Sequence, residues 1–276
     1  MKKISYLLIL TALTIAACNK PETETVEKIV KIEKTEAVYT GEVGLNPTVW
    51  YQTSAENKAI YIQTYKLAKL MLAENAKKKG KKPLAVVTDL DETALDNSPY
   101  NARMAKTGNV YANDTWDAWV NTAKATALPG AVDFFNFAKS INVEVFYISN
   151  RSQATLKPTM DNMKLLGFPN VEDKYFMLKT DKSDKTARRD SILKTYDIVL
   201  YLGDNMTDFT EEFANRDTTD FGAAVVEKYK AEIGTKFIVF PNPMYGEWEK
   251  AAFRNDYGKS PAEKLKALKS AIKDNY

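Results

Sequence analysis

Two carboxylates stand two residues apart in Asp89-Leu90-Asp91-Glu92-Thr93, directly after the short apolar run Leu84-Ala85-Val86-Val87-Thr88. Charges at the mouth of a buried strand are costly unless they meet a cation or a reacting group. A carboxylate can attack phosphorus to give an aspartyl-phosphate. A second carboxyl, held near protonation, can protonate the departing alkoxide and later activate water. Asp89 fits the nucleophile and Asp91 the acid/base. Taken alone, the same residues also fit a polar turn with an Asx or N-cap role.

Further polar clusters follow later apolar runs. In Leu202-Gly203-Asp204-Asn205-Met206-Thr207-Asp208 the glycine permits close backbone approach, and Asp204 and Asp208 could complete an octahedral Mg²⁺ shell. In Ile148-Ser149-Asn150-Arg151 a serine hydroxyl could donate to a phosphoryl oxygen. In Lys182-Ser183-Asp184-Lys185 a lysine could neutralise charge on the nucleophile and the transferring group. The bland readings are a capped strand-to-helix turn, a helix N-cap and a solvated basic face. Any one motif is weak, and the ordered set is what carries weight.

The elements that must position these residues are legible as short apolar runs at 84–88, 143–148, 175–178, 198–202 and 237–240. Helical spacing is predicted over 131–140, 153–166, 183–195, 209–215 and 263–273, and one long helix over 48–79. Apolar strands alternating with amphipathic helices predict an α/β fold, a parallel sheet with helices on both faces. Ligands in such folds sit beyond the carboxyl ends of the strands. Residues 96–128, with Tyr100, Tyr111, Trp116 and Trp119, break the alternation and read as an inserted cap.

Composition narrows the chemistry. The chain of 276 residues has no histidine and one cysteine. Imidazole mechanisms, internal disulfides and multi-cysteine metal sites are thereby excluded. A metal would be hard and oxygen-liganded, and Mg²⁺ suits that best. The formal charge of +3 includes Lys2 and Lys3 of the leader, so no nucleic-acid polymer is an expected partner. Lys2-Lys3 precedes an apolar run from Ile4 to Ala17, about 14 residues and so below the ~20 of a membrane-spanning helix. The run ends in Ala16-Ala17-Cys18, which reads as a signal peptide over 1–18 with Cys18 as the lipidated residue. Residues 19–45 read as a tether and 46–276 as the globular domain.

The motif order resembles the haloacid dehalogenase superfamily of phosphatases. The flanking residues resemble its bacterial class C acid phosphatases, the lipoprotein-type 5′-nucleotidases: Asp89 through Tyr100, Ile148-Ser149-Asn150-Arg151, Asp181-Lys182-Ser183-Asp184-Lys185, Gly203-Asp204-Asn205 and Pro241 through Gly246. The resemblance implies a Rossmann-like core with a mainly helical cap. It implies Mg²⁺ held by Asp89, Asp204 and the Asp91 backbone carbonyl, with Asp208 in support. Thr93, Ser149, Asn150 and Lys185 are then the expected phosphate contacts, with Lys182 as the alternative lysine. Trp116 and Tyr245 resemble the family's stacking residues for a nucleobase, although packing is the usual fate of such rings. The implied activity is hydrolysis of phosphomonoesters, commonly nucleoside 5′-monophosphates, by a homodimer on the bacterial outer membrane. A dehalogenase would normally lack Asp91, and a phosphonate hydrolase would want a further cap lysine. A non-catalytic binding lipoprotein would have no reason to keep carboxylates that repel one another. Haem capture would have to use Tyr, Met or Cys18 as axial ligand.

Overall fold

A computed structural model of the chain describes residues 39–77 and 80–274, so the expected signal segment, Cys18 and most of the expected tether lie outside the described residues. In chain order the first elements are α1 (Leu45–Thr53), α2 (Ala55–Asn75), β1 (Leu84–Thr88), β2 (Leu95–Asp96), α3 (Ser98–Thr107), α4 (Asn113–Val120) and β3 (Thr126–Ala127). Then come α5 (Ala131–Ser140), β4 (Glu144–Ser152), α6 (Leu156–Leu165), β5 (Phe176–Lys179), α7 (Thr186–Leu193) and β6 (Asp197–Gly203). The chain closes with α8 (Ala223–Lys228), β7 (Phe237–Val239), α9 (Glu247–Ala252) and α10 (Pro261–Ala271). None of these helices is long and apolar enough to cross a membrane.

The main sheet has five strands in the order β5-β4-β1-β6-β7, and every neighbouring pair is parallel. Parallel strands need crossover connections, and these are right-handed almost without exception. From β1 the chain steps through β4 to β5 in one direction, so α5 and α6 cover one face. It then returns past β1 to β6 and β7, so α7 and α8 cover the other. The strand order therefore reverses between β1 and β6, which makes the carboxyl ends of those two strands the place for a ligand.

The strands form where sequence patterning puts them because their residues are apolar on both faces. Ala85, Val86 and Val87 of β1 and Leu200 and Leu202 of β6 are all buried. Over them lies α2, whose Tyr61, Tyr65, Ala68 and Leu72 form its buried stripe. Burying each large side chain of this kind stabilises the fold by about 1.5–3 kcal/mol. Between β1 and α5 the chain inserts a small unit in which the antiparallel pair β2–β3 closes the base of α3 and α4. That unit has its own cluster of Tyr100, Met104, Trp116 and Val120.

Several expectations need correction. The single helix over 48–79 is two, because Ser54 adopts an extended backbone and its side chain accepts from Asn57 N, capping a new helix. The bend lets the Tyr51 and Tyr61 hydroxyls meet at 2.6 Å. The last part of the expected tether is packed, not free. Tyr39 N donates to Pro261 O, and Gly41 N donates to Gly108 O at the cap. Gly41 allows that approach, since a Cβ there would lie 2.0 Å from Asn109 O. The helix expected over 209–215 is a pair of 3₁₀ turns, Met206–Asp208 and Glu211–Phe213, each started by its own polar cap.

Candidate active site

The loop after β1 is shaped from below. Glu92 takes a left-handed backbone with φ of 55°, which folds the chain back so that Leu95 N reaches Leu90 O at 2.8 Å. A non-glycine residue in that region is strained and persists only where its surroundings hold it. Here α2 holds it: Tyr61 Oη donates to Glu92 O at 2.5 Å and Tyr65 Oη to Thr93 O at 2.7 Å. Both tyrosines lie on the buried stripe of α2, so core packing and loop shape share the same residues. Asp91 N then donates to Asp89 Oδ2 at 3.0 Å, and the Asp89 backbone N–H is fixed on Leu202 O of β6.

Asp89 is buried at the strand mouth, and Lys185 enters from the start of α7 to meet it. Lys185 Nζ lies 2.5 Å from Asp89 Oδ1 and 2.6 Å from Asp208 Oδ1. Lys182, the alternative lysine, is exposed, and its backbone N–H donates to Asp181 Oδ1 at 2.9 Å. Asp208 is aimed by a capping box: Asn205 N donates to its Oδ2 at 3.0 Å. Gly203 makes room for that carboxylate, since a Cβ would lie 2.3 Å from Asp208 Oδ2. Asp204 accepts from Thr93 Oγ1 at 3.3 Å on Oδ1 and from Asn242 Nδ2 at 2.8 Å on Oδ2.

The electrostatics fit a cation. Asp89, Asp204 and Asp208 each offer a carboxylate oxygen within 4.8 Å of the others. Burial pushes the Asp89 carboxyl up to about 7, and Asp208 and Asp91 add to the rise despite the opposing pull of Lys185. Burial, then repulsion from Asp208 and Asp89, holds Asp204 well above the usual carboxylate range. Burial would lower Lys185, but Asp208 and Asp89 more than reverse that and keep it charged. One ammonium does not balance this many carboxylates. A hard, oxygen-seeking divalent ion at Asp89 and Asp204 would offset the remaining repulsion.

Asp91 turns its carboxylate away from that cluster. Its Oδ1 accepts from Asn97 Nδ2 at 2.9 Å, Arg151 Nε at 2.9 Å and the Arg151 terminal nitrogen Nη2 at 2.8 Å. Its Oδ2 accepts from Ser149 Oγ at 3.0 Å. The Asp91 carboxylate is therefore committed to these donors and lies outside the Asp89, Asp204 and Asp208 group. Asp89, Asp91 and Asp204 thus share one rim of the sheet.

The other expected side chains each have partners of their own. Thr93 is fully buried and donates its hydroxyl to Asp204 Oδ1, and Ser149 is fully buried and donates its own to Asp91 Oδ2. Asn150 is exposed, with its Oδ1 taken by Arg188 Nη2 at 2.7 Å. Trp116 packs edge-on against Tyr100 with ring centroids 5.1 Å apart, inside the cap cluster. Its position on the inner face of α4 leaves it 9% exposed. Tyr245 is half-buried, and its hydroxyl donates to Glu92 Oε2. It lines a cavity of about 600 Å³ shared with Tyr100, Tyr111, Met244 and Trp248.

Sequence reasoning missed several residues that hold the site. Arg188 Nη1 donates to Ser149 O at 2.8 Å, and Arg189 Nη1 to Thr207 O at 3.1 Å, so α7 ties the end of β4 to the turn after β6. Both arginines follow Lys185 at helical spacing, but so do many surface lysines and arginines, and only burial separates them. Asn97 and Glu92 were visible only as motif letters. Burial, with Asp91 the next cause, keeps the Glu92 carboxyl well above its usual range.

The family model for the HAD (haloacid dehalogenase) superfamily, subfamily IIIB (acid phosphatase), matches residues 12–248, and the chain belongs to that family. The crystal structure of the class C acid phosphatase from Bacillus anthracis with tungstate bound superposes with a TM-score of 0.82 at 41% identity, covering 86% of this chain and 99% of that one. A curated relative, the stem 31 kDa glycoprotein of Glycine max, is 26% identical over 162 residues, 56% of this chain and 57% of that protein. Acid phosphatase 1 of Solanum lycopersicum is 27% identical over 129 residues, 44% of this chain and 50% of that protein. The chain spans about half the length of the curated relatives it matches.

Proposed function

We propose that this protein hydrolyses phosphomonoesters through a phosphoryl group carried on Asp89, with Mg²⁺ as its metal. The observation that carries the reading is the placement of Asp89. It sits at the switch point of the sheet, 2.5 Å from Lys185, with Asp91 two residues along and the Asp204–Asp208 pair facing it. Membership of the acid phosphatase subfamily supports it. So does tungstate, a tetrahedral oxyanion like phosphate, in the relative's crystal structure.

In the proposed reaction a carboxylate oxygen of Asp89 attacks phosphorus and the bond to the leaving oxygen breaks. Asp91 gives its proton to that oxygen, then takes one from the water that cleaves the acyl phosphate. Lys185 neutralises charge on Asp89 and on the phosphoryl oxygens as they approach. Asp89 and Asp204 would hold the divalent ion with the Asp91 carbonyl, while Asp208 keeps Lys185 in place. The ion would supply positive charge that keeps Asp89 ionised in its buried setting and balances the phosphoryl group.

Nucleoside 5′-monophosphates are the substrates proposed. The aromatic cavity beside Tyr245 supports this, because stacking on a π-face is worth ~1–3 kcal/mol per base and tolerates any base. Tyr245 connects that cavity to the catalytic turn through Glu92. We place the protein as a homodimer, held at the outer membrane by a lipid on Cys18. Exposed Val43, Leu45 and Val49 support self-association.

The test is a panel of phosphomonoesters assayed after EDTA treatment, with and without added Mg²⁺. Activity should vanish in EDTA, return with Mg²⁺, and favour nucleotides over small aryl esters. A chelator-insensitive enzyme would remove the metal from the proposal, and one inactive on every ester would remove the activity.

A further inference from the structure

Asp91 is held more closely than an acid/base needs for bonding alone. Its Oδ1 takes three N–H donors, from Asn97 and Arg151, whereas Oδ2 meets the single hydroxyl of Ser149. A carboxylate oxygen with three donors has little left to hold a proton, so the proton that Asp91 carries belongs on Oδ2. The side chain remains 15% exposed, whereas that of Arg151 is 1% exposed. Arg151 is itself fixed by Nη1 on Thr159 Oγ1 at 3.1 Å and Nη2 on Asn97 Oδ1 at 3.2 Å.

Asn97 joins this arrangement to the cap. Its Nδ2 donates to Asp91, its Oδ1 accepts from Arg151, and the same Oδ1 accepts from Trp119 Nε1 at 2.9 Å. The opposite amide orientation would point Nδ2 at two N–H donors, so the network fixes it. Its backbone N–H is also committed, donating to Glu92 Oε1 at 2.9 Å. Trp119 lies on α4 and packs against both the main core and the cap cluster. The position of the cap helix is thereby transmitted through one amide to the acid/base.

The geometry points to Trp119, Asn97 and Arg151 as a positioning chain by which the cap aims Asp91 Oδ2 at the leaving oxygen. The inference rests on the reading of Asp91 as the acid. As the bond from phosphorus to the leaving oxygen breaks, its electron pair takes the Oδ2 proton and Asp91 becomes a carboxylate. The charge left behind spreads to Oδ1, where the Arg151 and Asn97 donors already wait, so nothing need reorganise. The chain touches no reacting atom; its effect is on the aim and readiness of Asp91.

Leaving groups separate this role from a merely structural one. p-Nitrophenolate departs without a proton, whereas an alkoxide needs one. The ratio kcat/KM reports only steps up to phosphorylation of Asp89, so water attack does not enter. Trp119→Phe keeps an aromatic ring, though a smaller one, and removes the donor. It should lower kcat/KM for glycerol 2-phosphate about tenfold, the loss expected of one orienting hydrogen bond, and leave p-nitrophenyl phosphate nearly unchanged. Arg151→Lys, which keeps the charge but not the fork, should show the same selectivity. Asp91→Asn is the reference and should discriminate more strongly than either. If Asp91→Asn discriminates and the other two lower both substrates equally, the positioning chain is wrong and the acid stands. If Asp91→Asn lowers both substrates equally, Asp91 is not the proton donor and the underlying reading falls with the inference.

Discussion

Replacing Lys185 by methionine removes the ammonium lying 2.5 Å from Asp89 Oδ1 and 2.6 Å from Asp208 Oδ1 while keeping most of the aliphatic stem. All three side chains are at most 9% exposed, so water cannot take the place of the lost charge. Breaking a buried pair from one side costs about 3–5 kcal/mol because the remaining charge is left uncompensated. In a domain of this size each kcal/mol moves the melting temperature by about 2–4 °C, so a drop of roughly 6–20 °C is expected. The sign with pH follows from Asp89, whose folded carboxyl is raised to about 7 from its usual 3.8. A raised acid contributes its stability below the unfolded value and loses it as pH rises through the folded one. Without Lys185, whose charge pulls the folded value down, that loss continues to higher pH. Melting curves of both proteins in EDTA, at about pH 4.5 and about pH 7.5, should therefore show a gap that is small in acid and wide at neutrality. A gap of equal size at both pH values would refute the electrostatic account and leave Lys185 as packing. In the Mg²⁺-loaded enzyme the same substitution should lower kcat/KM by about 10²–10³, the usual loss for one charge-stabilising donor.

Gly203→Ala would put a methyl 2.3 Å from Asp208 Oδ2 and 2.4 Å from its Cβ, so the carboxylate must leave its cap. Mg²⁺ half-saturation of activity should rise about tenfold or more, as for lost outer-shell support of a metal; an unchanged value would show that Asp208 does not matter to the metal. Trp116→Ala should destabilise the cap by about 3–5 kcal/mol. It should also change KM for nucleotides and for p-nitrophenyl phosphate by the same factor; a rise confined to nucleotides would restore Trp116 as a stacking residue.

The five sheet strands and their order of polar ends were legible because β1, β4, β5, β6 and β7 are short apolar runs that nothing else explains. Asp89, Asp204, Asp208 and Lys185 were legible for the same reason: each follows a strand, and a parallel sheet brings strand ends to one rim. What could not be read was the direction of each side chain. The hydroxyls of Thr93 and Ser149 stand in the expected motifs, yet they serve the carboxylates of Asp204 and Asp91. Patterning sees that a hydroxyl is near, but it cannot choose between two acceptors. The break at Ser54 was hidden because helical periodicity continues across it, and a single extended residue, whose side chain caps the next helix at Asn57, interrupts the backbone. Trp116 and Trp119 lie three apart on α4 and look equivalent in sequence. Packing makes one a cap-core ring and the other a hydrogen-bond donor to Asn97.

The direct measurement is to quench the enzyme in acid during turnover of a labelled phosphomonoester and map the label by peptide mass. Phosphate on the peptide carrying Asp89, lost in Asp89→Asn and accumulating in Asp91→Asn with an activated aryl ester, is the predicted result. A rapidly turning-over enzyme with no phosphate on Asp89, or with phosphate on another side chain, would contradict the account.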